Sequence, residues 1–357
     1  MAFDIKKLLR PHILGIKPYS SARDEYSGKE GVFLDANENP YSAPTGEAFN
    51  RYPDPYQHLI KERLAPIKGV GKEQIFLGNG SDEAIDLLMR AFCVPGRDNV
   101  LLLPPTYGMY EVSASINDIA IKRVSLTEDF QLKPKEILEA VDEYTKIIFI
   151  CSPNNPSGNK MRRSDIHAIL KGFEGLVVID EAYVDFSDEP SFTTELKEFP
   201  NLLVMQTFSK AWGLANLRIG MAFASAEIIR VLNLIKPPYN ISGLTQERVL
   251  ASLENAEKVK EVVAAILNER EVLEKALKRI PLVQKIYPSH ANFLLVKVPA
   301  AKEMYVYLTD EKIIVRDRSK VTLCDNCLRI TVGTPEENLR LLKAMSNFQP
   351  IEKTIHT

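Results

Sequence analysis

Leu176-Val-Val-Ile179 runs without a break into Asp180-Glu-Ala-Tyr183, and Leu202-Leu-Val-Met-Gln206 runs into Thr207-Phe-Ser-Lys210. Each is a short apolar run with no period-two alternation, as expected of a strand covered on both faces. Each also ends on side chains that carry chemistry. Working outward, similar runs occur at Ile75–Leu77, Val100–Leu103, Ile119–Val124, Ile147–Cys151 and Ile219–Ala224. Amphipathic stretches lie between them, among them Ser81–Phe92, Pro134–Tyr144 and Ser164–Gly172, with Ser81 and Ser164 as expected N-caps. Strand alternating with helix predicts an α/β domain on a largely parallel sheet.

Past Pro237-Pro238 the pattern changes. The stretch from Thr245 to about Arg279 reads as one long, charge-laced helix, with Val249, Leu250, Leu253, Val259, Val262, Val263, Ile266 and Leu267 on or near its inner face. Strand candidates follow at Leu282–Tyr287, Asn292–Val298, Ile313–Val315 and Leu328–Val332. The expected organisation is an N-terminal arm (1–40) packing with the small domain or across a dimer. A large α/β domain (41–237) follows, then a linking helix with a smaller α+β domain (238–357).

Composition bounds the function. The 357 residues hold 45 Lys and Arg against 47 Asp and Glu, a net charge of −2. That balance removes the electrostatic case for a nucleic-acid or anionic-membrane partner. No apolar run approaches the ~20 residues of a membrane span, and charge interrupts the N-terminus where a secretory signal would be apolar. The four cysteines make no disulfide framework. Cys324 and Cys327 form a single C-x-x-C without a second pair or a nearby His, which argues against zinc. The five histidines show no metal-binding spacing. The expectation is a soluble, reduced, cytoplasmic protein without a metal.

In an open α/β sheet ligands bind beyond the carboxyl ends of the strands. The tails of the apolar runs are Gly78-Asn-Gly-Ser-Asp-Glu83, Pro104-Pro-Thr-Tyr107, Ser152-Pro-Asn-Asn-Pro-Ser-Gly158, Asp180-Glu-Ala-Tyr183 and Thr207-Phe-Ser-Lys210. Parallel neighbours would bring them to one rim. Gly78-Asn-Gly80-Ser81 ahead of a helix is physically an anion site, although an ordinary strand–turn–helix reads the same way. It lacks the dinucleotide spacing, and Gly69-Val-Gly-Lys72 fails as a phosphate loop because Pro66 stands where the first glycine belongs. Alone, Lys210 reads as a solvated lysine and Asp180 as a loop carboxylate. Together with the upstream anion turn they form the trio that pyridoxal phosphate needs: an amine, an acid for the ring nitrogen and a phosphate cradle.

Gly80-Ser-Asp-Glu83, Ser152–Gly158, Asp180–Tyr183, Thr207–Lys210 and Arg218-Ile-Gly220, in that order, resemble the fold-type I, class I/II pyridoxal-phosphate aminotransferases. Pro18-Tyr19, Ala22-Arg23, Leu34–Pro40, Arg51–Asp54, Ile314–Asp317 and Cys327–Thr334 extend the resemblance, which runs from about residue 18 to 345. It implies a seven-stranded, mostly parallel sheet plus the smaller domain. It also implies ping-pong transfer of an amino group between glutamate and histidinol phosphate, with 2-oxoglutarate and imidazole acetol phosphate as the keto forms, in histidine biosynthesis. Members that transaminate aromatic amino acids, or that decarboxylate threonine phosphate, are the rivals on the same fold.

By the same resemblance Lys210 is the Schiff-base lysine and Asp180 pairs with the ring nitrogen. Asn155 and Tyr183 hold the phenolic oxygen, and Tyr107 stacks on the ring. Gly80, Ser81, Asp82, Ser209 and Arg218 bind the phosphate, joined by Tyr52 of the neighbouring subunit of a homodimer. Arg329 takes the α-carboxylate of glutamate, and Arg316 with Tyr19 takes the substrate phosphate. Asn37 joins the substrate site.

Overall fold

The structure is a computed structural model that describes residues 3–17 and 31–350. In chain order the helices are α1 (Ile5–Leu8), α2 (His58–Lys68), α3 (Ser81–Phe92), α4 (Met109–Ile116), α5 (Pro134–Glu139), α6 (Arg163–Gly172), α7 (Ala226–Ile235), α8 (Gly243–Leu253), α9 (Ala256–Leu277), α10 (Ala301–Asp310) and α11 (Pro335–Asn347). The strands are β1 (Ile75–Asn79), β2 (Asn99–Leu102), β3 (Ala120–Arg123), β4 (Thr145–Cys151), β5 (Leu176–Asp180), β6 (Leu202–Thr207), β7 (Ile219–Phe223), β8 (Lys285–Ile286), β9 (Phe293–Lys297), β10 (Arg316–Asp317) and β11 (Cys327–Thr331).

The first seven strands form one sheet in the order β1-β7-β6-β5-β4-β2-β3. Only β7 runs against its neighbours β1 and β6; the other pairs are parallel. Alternation along each strand splits its side chains between two cores. In β4, Ile147 and Phe149 pack with α3, α4 and α7, whereas Ile148 and Ile150 pack with α2, α5, α6 and α8. Both faces are covered, which is why the runs carry no polar side. Because β7 is reversed, its first residue, Ile219, lies at the same rim as the last residues of β5 and β6. The loop residue Arg218 therefore arrives where Asp180 and Thr207 already are.

The second sheet, β10-β11-β9-β8, is antiparallel. One face, with Leu294, Val296, Leu328 and Ile330, packs against α9, α10 and α11. The other face brings Phe293 against Tyr183 and Ala211 of the large domain. The small sheet thus forms one wall of the interdomain space.

Several expectations need correction. The long helix is two helices, broken after Leu253. There Glu254 caps α8 and Asn255 leaves the helical conformation, its side-chain amide donating to the Ala251 carbonyl at 3.0 Å. Asparagine competes for backbone in this way and so favours helix ends. Val262 is exposed, not inward. Pro134–Tyr144 is helical only to Glu139, since Asp142 engages the Tyr144 amide and the Thr145 hydroxyl in a turn. The strand expected at Ile313–Val315 begins instead at Arg316, because Lys312 sits at φ +61 and the Ile313 amide still bonds back to Leu308. Within the arm, Ile5, Leu9 and Ile13 are buried in the large-domain core beside Phe92. No helix among the described residues is long and apolar enough to cross a membrane.

Candidate active site

Asp180 is the last residue of β5 and is buried. Tyr110 on α4 donates its hydroxyl to Asp180 Oδ2 at 2.6 Å, and the Ala182 amide donates to Oδ1 at 3.1 Å. Burial raises the carboxyl's proton affinity; the two donors and Lys210 oppose that rise by favouring the charged form. Tyr110 is itself fully buried, stacked on Phe149 with centroids 4.7 Å apart and edge-on to Tyr107 at 5.5 Å. Burial keeps its hydroxyl protonated far above the ordinary tyrosine range, so it remains a donor. Sequence reasoning missed this residue.

Lys210 follows β6 by three residues, and its Nζ lies 5.7 Å from the Tyr183 ring centroid. Burial lowers its proton affinity, and the Arg329 guanidinium lowers it further. Tyr183 is buried edge-on against Phe293 at 5.1 Å, and that burial pushes its hydroxyl up.

The turn between β1 and α3 approaches the β7 loop too closely for side chains. A Cβ on Gly80, at φ +75, would lie 2.8 Å from Arg218 Nη2. One on Gly220 would lie 2.2 Å from the Ser81 nitrogen and 2.5 Å from the Gly80 carbonyl carbon, both backbone atoms that cannot yield. Ser81 is not the N-cap; Gly80 is, and Ser81 is the first residue of α3. Likewise Arg162, not Ser164, caps α6. With Ser81 and Asp82 opening the helix, unpaired amides and the helix dipole are turned toward the cavity. Arg218 closes the cradle in the left-handed conformation (φ +50), with Nη2 3.8 Å from Asp82 Oδ2, and Tyr107 donates to Asp82 Oδ1 at 3.2 Å.

From the small domain, Arg329 on β11 sits directly opposite Arg316 on β10. Its Nη1 donates to Asn155 Oδ1 at 2.5 Å, and its guanidinium lies 5.3 Å from the Phe293 ring centroid. Asn155 itself lines the cavity.

A cavity of about 600 Å³ joins these groups. Of the residues singled out in the sequence, Gly80, Ser81, Asp82, Tyr107, Asn155, Asp180, Tyr183, Ser209, Lys210, Arg218, Arg316 and Arg329 line it. Arg318 lines it too and was not foreseen; it lies two residues from Arg316, one position past the end of β10. Tyr52 and Asn37 lie elsewhere in the chain, in a groove where Tyr52 is exposed and stacked on Tyr239 at 4.5 Å. Tyr19 falls outside the described residues.

This arrangement fits pyridoxal phosphate. The cavity offers an amine with lowered proton affinity, a buried carboxylate held by two donors, and an anion cradle in which Gly80 and Gly220 leave no room for a Cβ. The buried Thr106 hydroxyl in its wall has no partner. No group of three or more His, Cys, Asp or Glu side chains that could hold a metal ion occurs among the described residues.

The family described as aminotransferase class I and II matches residues 26–345. A histidinol-phosphate aminotransferase of Parabacteroides distasonis is 57% identical over 346 residues, covering 97% of this chain and 99% of that one. One of Cytophaga hutchinsonii is 55% identical over 348 residues, covering 98% and 100%. Among solved structures, the histidinol-phosphate aminotransferase of Sinorhizobium meliloti in complex with pyridoxal-5′-phosphate is similar in fold, with TM-score 0.77 at 24% identity, covering 87% of this chain and 89% of that one.

Proposed function

We infer the reaction from one premise: the chain belongs to the aminotransferase class I and II family. It is an aminotransferase, and the proposed reaction moves an amino group between L-histidinol phosphate and 2-oxoglutarate. The products are imidazole acetol phosphate and glutamate; the biosynthetic direction is the reverse, in histidine synthesis. The names of relatives more than half identical over nearly the whole chain support this substrate. The observation that carries it is the pairing of Lys210 and Asp180 with a wall of arginines in one cavity. A substrate for that cavity is an amine that brings its own negative charge.

Pyridoxal phosphate, the proposed cofactor, supplies when bound an electron-withdrawing ring that stabilises negative charge on the carbon bearing the substrate's amine. Lys210 would hold its aldehyde carbon, Asp180 its ring nitrogen, and Asn155 Nδ2 with the Tyr183 hydroxyl its phenolic oxygen. Tyr107 would cover the ring, and the Gly80–Asp82 turn, Ser209 and Arg218 would hold the phosphate.

An ordinary lysine, with a pKa near 10.4, is a cation at neutral pH and a poor base. Burial and Arg329 make Lys210 Nζ more available to accept a proton from the substrate carbon and to return it. Tyr110 and the Ala182 amide hold both Asp180 oxygens and so favour its charged form against the burial that raises its proton affinity. Arg329, oriented by Asn155 and Phe293, suits bidentate binding of a carboxylate. Because one cavity receives glutamate and histidinol phosphate in turn, the kinetics are ping-pong.

The proposed assembly is a homodimer in the cytoplasm. Tyr52 and Asn37, set apart from their own chain's cavity, would complete that of the neighbour. Four free, buried cysteines suit a reducing compartment.

The deciding assay supplies L-histidinol phosphate, 2-oxoglutarate and pyridoxal phosphate and measures glutamate formed. The reading expects kcat/KM at least about 100-fold above that for phenylalanine. Preference for phenylalanine, or carbon dioxide released from threonine phosphate, would replace it with one of the rival activities.

A further inference from the structure

We propose that Arg318 is a specificity-determining residue: a third guanidinium in the substrate's anion site, which makes the enzyme favour a phosphate monoester dianion over a carboxylate. The inference rests on the reaction proposed above and adds a residue to it.

The placement follows from strand geometry. Arg316 pairs with Arg329 across the β10–β11 ladder, and the Arg318 amide continues that ladder by donating to the Cys327 carbonyl at 2.8 Å. Residues two apart in a strand share a face, so Arg316, Arg318 and Arg329 all look away from the helices and into the cavity, which all three line. The residue between them, Asp317, points the other way and is occupied by Ser319, whose amide and hydroxyl reach its Oδ1 at 2.8 Å and 2.6 Å.

Stacking like charges across a ladder is unfavourable, and among the described residues no ion pair compensates it here. Among the described residues none of the three arginines has a carboxylate within ion-pair distance. The Arg318 Nε is buried without a hydrogen-bond partner. A donor left unsatisfied in a cavity wall marks a place for an acceptor that the chain itself does not hold. The flanking charged or titratable groups are Arg316, the Cys324 thiol, Tyr183 and Asp317; the Asp317 carboxylate attracts the guanidinium only from beyond ion-pair distance, with its Oδ1 already engaged by Ser319.

A carboxylate presents two oxygens and one charge, which the fork of Arg329 can satisfy alone. A phosphate monoester presents three terminal oxygens and up to two charges, so it can engage further guanidiniums at once. Glutamate has little use for the third arginine; a phosphorylated amine has one.

The test compares wild-type holoenzyme with Arg318→Gln and Arg318→Lys. It reads KM and kcat for L-histidinol phosphate and for glutamate, and the affinity for inorganic phosphate by calorimetry. Loss of one charge-assisted hydrogen-bonding group predicts a KM for histidinol phosphate raised about 10- to 100-fold in the Gln variant. The KM for glutamate should rise less than about threefold, and phosphate affinity should fall in step with the first effect. Arg318→Lys should restore part of both, with the cofactor's absorbance and the thermal midpoint as checks on folding. Equal losses for both substrates, or unaltered phosphate affinity, would overturn the proposal. A wild-type protein inert to histidinol phosphate would instead remove the reaction proposed above, and the phosphate titration would still decide Arg318.

Discussion

The Tyr110 hydroxyl donates to Asp180 Oδ2 at 2.6 Å across 70 residues of sequence, from the first turn of α4 to the end of β5. Hydrogen bonds to charged groups contribute about 1.5–3 kcal/mol, and here the bond opposes the burial that raises the proton affinity of Asp180. Tyr110→Phe keeps the ring packed on Phe149 and removes only the donor. The expected result is pyridoxal-phosphate affinity weakened about tenfold or more, with a higher apparent pKa for the cofactor-free carboxyl. Fluorescence titration of the cofactor across pH reads both, and wild-type affinity in the variant would show that the Ala182 amide suffices.

Lys210→Ala removes the one lysine among the described residues lining the cavity. Turnover should fall by about a thousandfold or more, within the usual range for a positioned base with a further loss from its covalent role. Single-turnover mixing with histidinol phosphate checks this, and a variant retaining a tenth of the wild-type rate would exclude Lys210 as the base.

The lowered proton affinity of Lys210 has a signed consequence for stability. In the cofactor-free protein the unfolded chain binds more protons at this site than the folded one, so stability rises with pH through the window below 10.5. At lower pH, with both states protonated, the full penalty is present. Arg329→Gln removes the second cause of the shift, so the rise should begin at higher pH. Denaturant unfolding of cofactor-free wild-type and variant proteins between pH 7 and 10 measures it; superimposable curves would remove Arg329 as a cause.

Gly220→Ala forces a Cβ onto the Ser81 and Gly80 backbone. Overpacking of this kind costs about 1–3 kcal/mol, and here it also pries open the anion cradle, so thermal stability and cofactor affinity should fall together. Gly243→Ala serves as the contrast. It sits at the start of α8 with Pro53 Cβ at an ordinary 3.7 Å, and it should be neutral or stabilising by about 0.4–1 kcal/mol. Equal melting temperatures for the two variants would refute the steric argument.

The strands and their rim were legible because both-faces burial leaves an unmistakable run of apolar residues, and chemistry follows where the run stops. The direction of β7 was not legible, since an apolar run reads the same either way; its reversal is what delivers Arg218 to the rim. Tyr110 was hidden because a tyrosine on an amphipathic helix looks like core, and its partner is remote in sequence. The α8–α9 break lay in Glu254-Asn255, where helical periodicity on both sides masked one capping residue. Arg318 was visible only as the i+2 neighbour of Arg316, once the ladder placed both on one face.

The most direct measurement is the absorbance of the pyridoxal-phosphate-loaded protein on addition of L-histidinol phosphate alone, followed by 2-oxoglutarate. The account predicts that the cofactor's long-wavelength band is lost in the first step, as the amino group passes to the cofactor, and returns in the second. A band that histidinol phosphate leaves unchanged would contradict the proposed substrate. A protein that takes up no pyridoxal phosphate would contradict the assignment of Lys210, Asp180 and the Gly80–Asp82 cradle together.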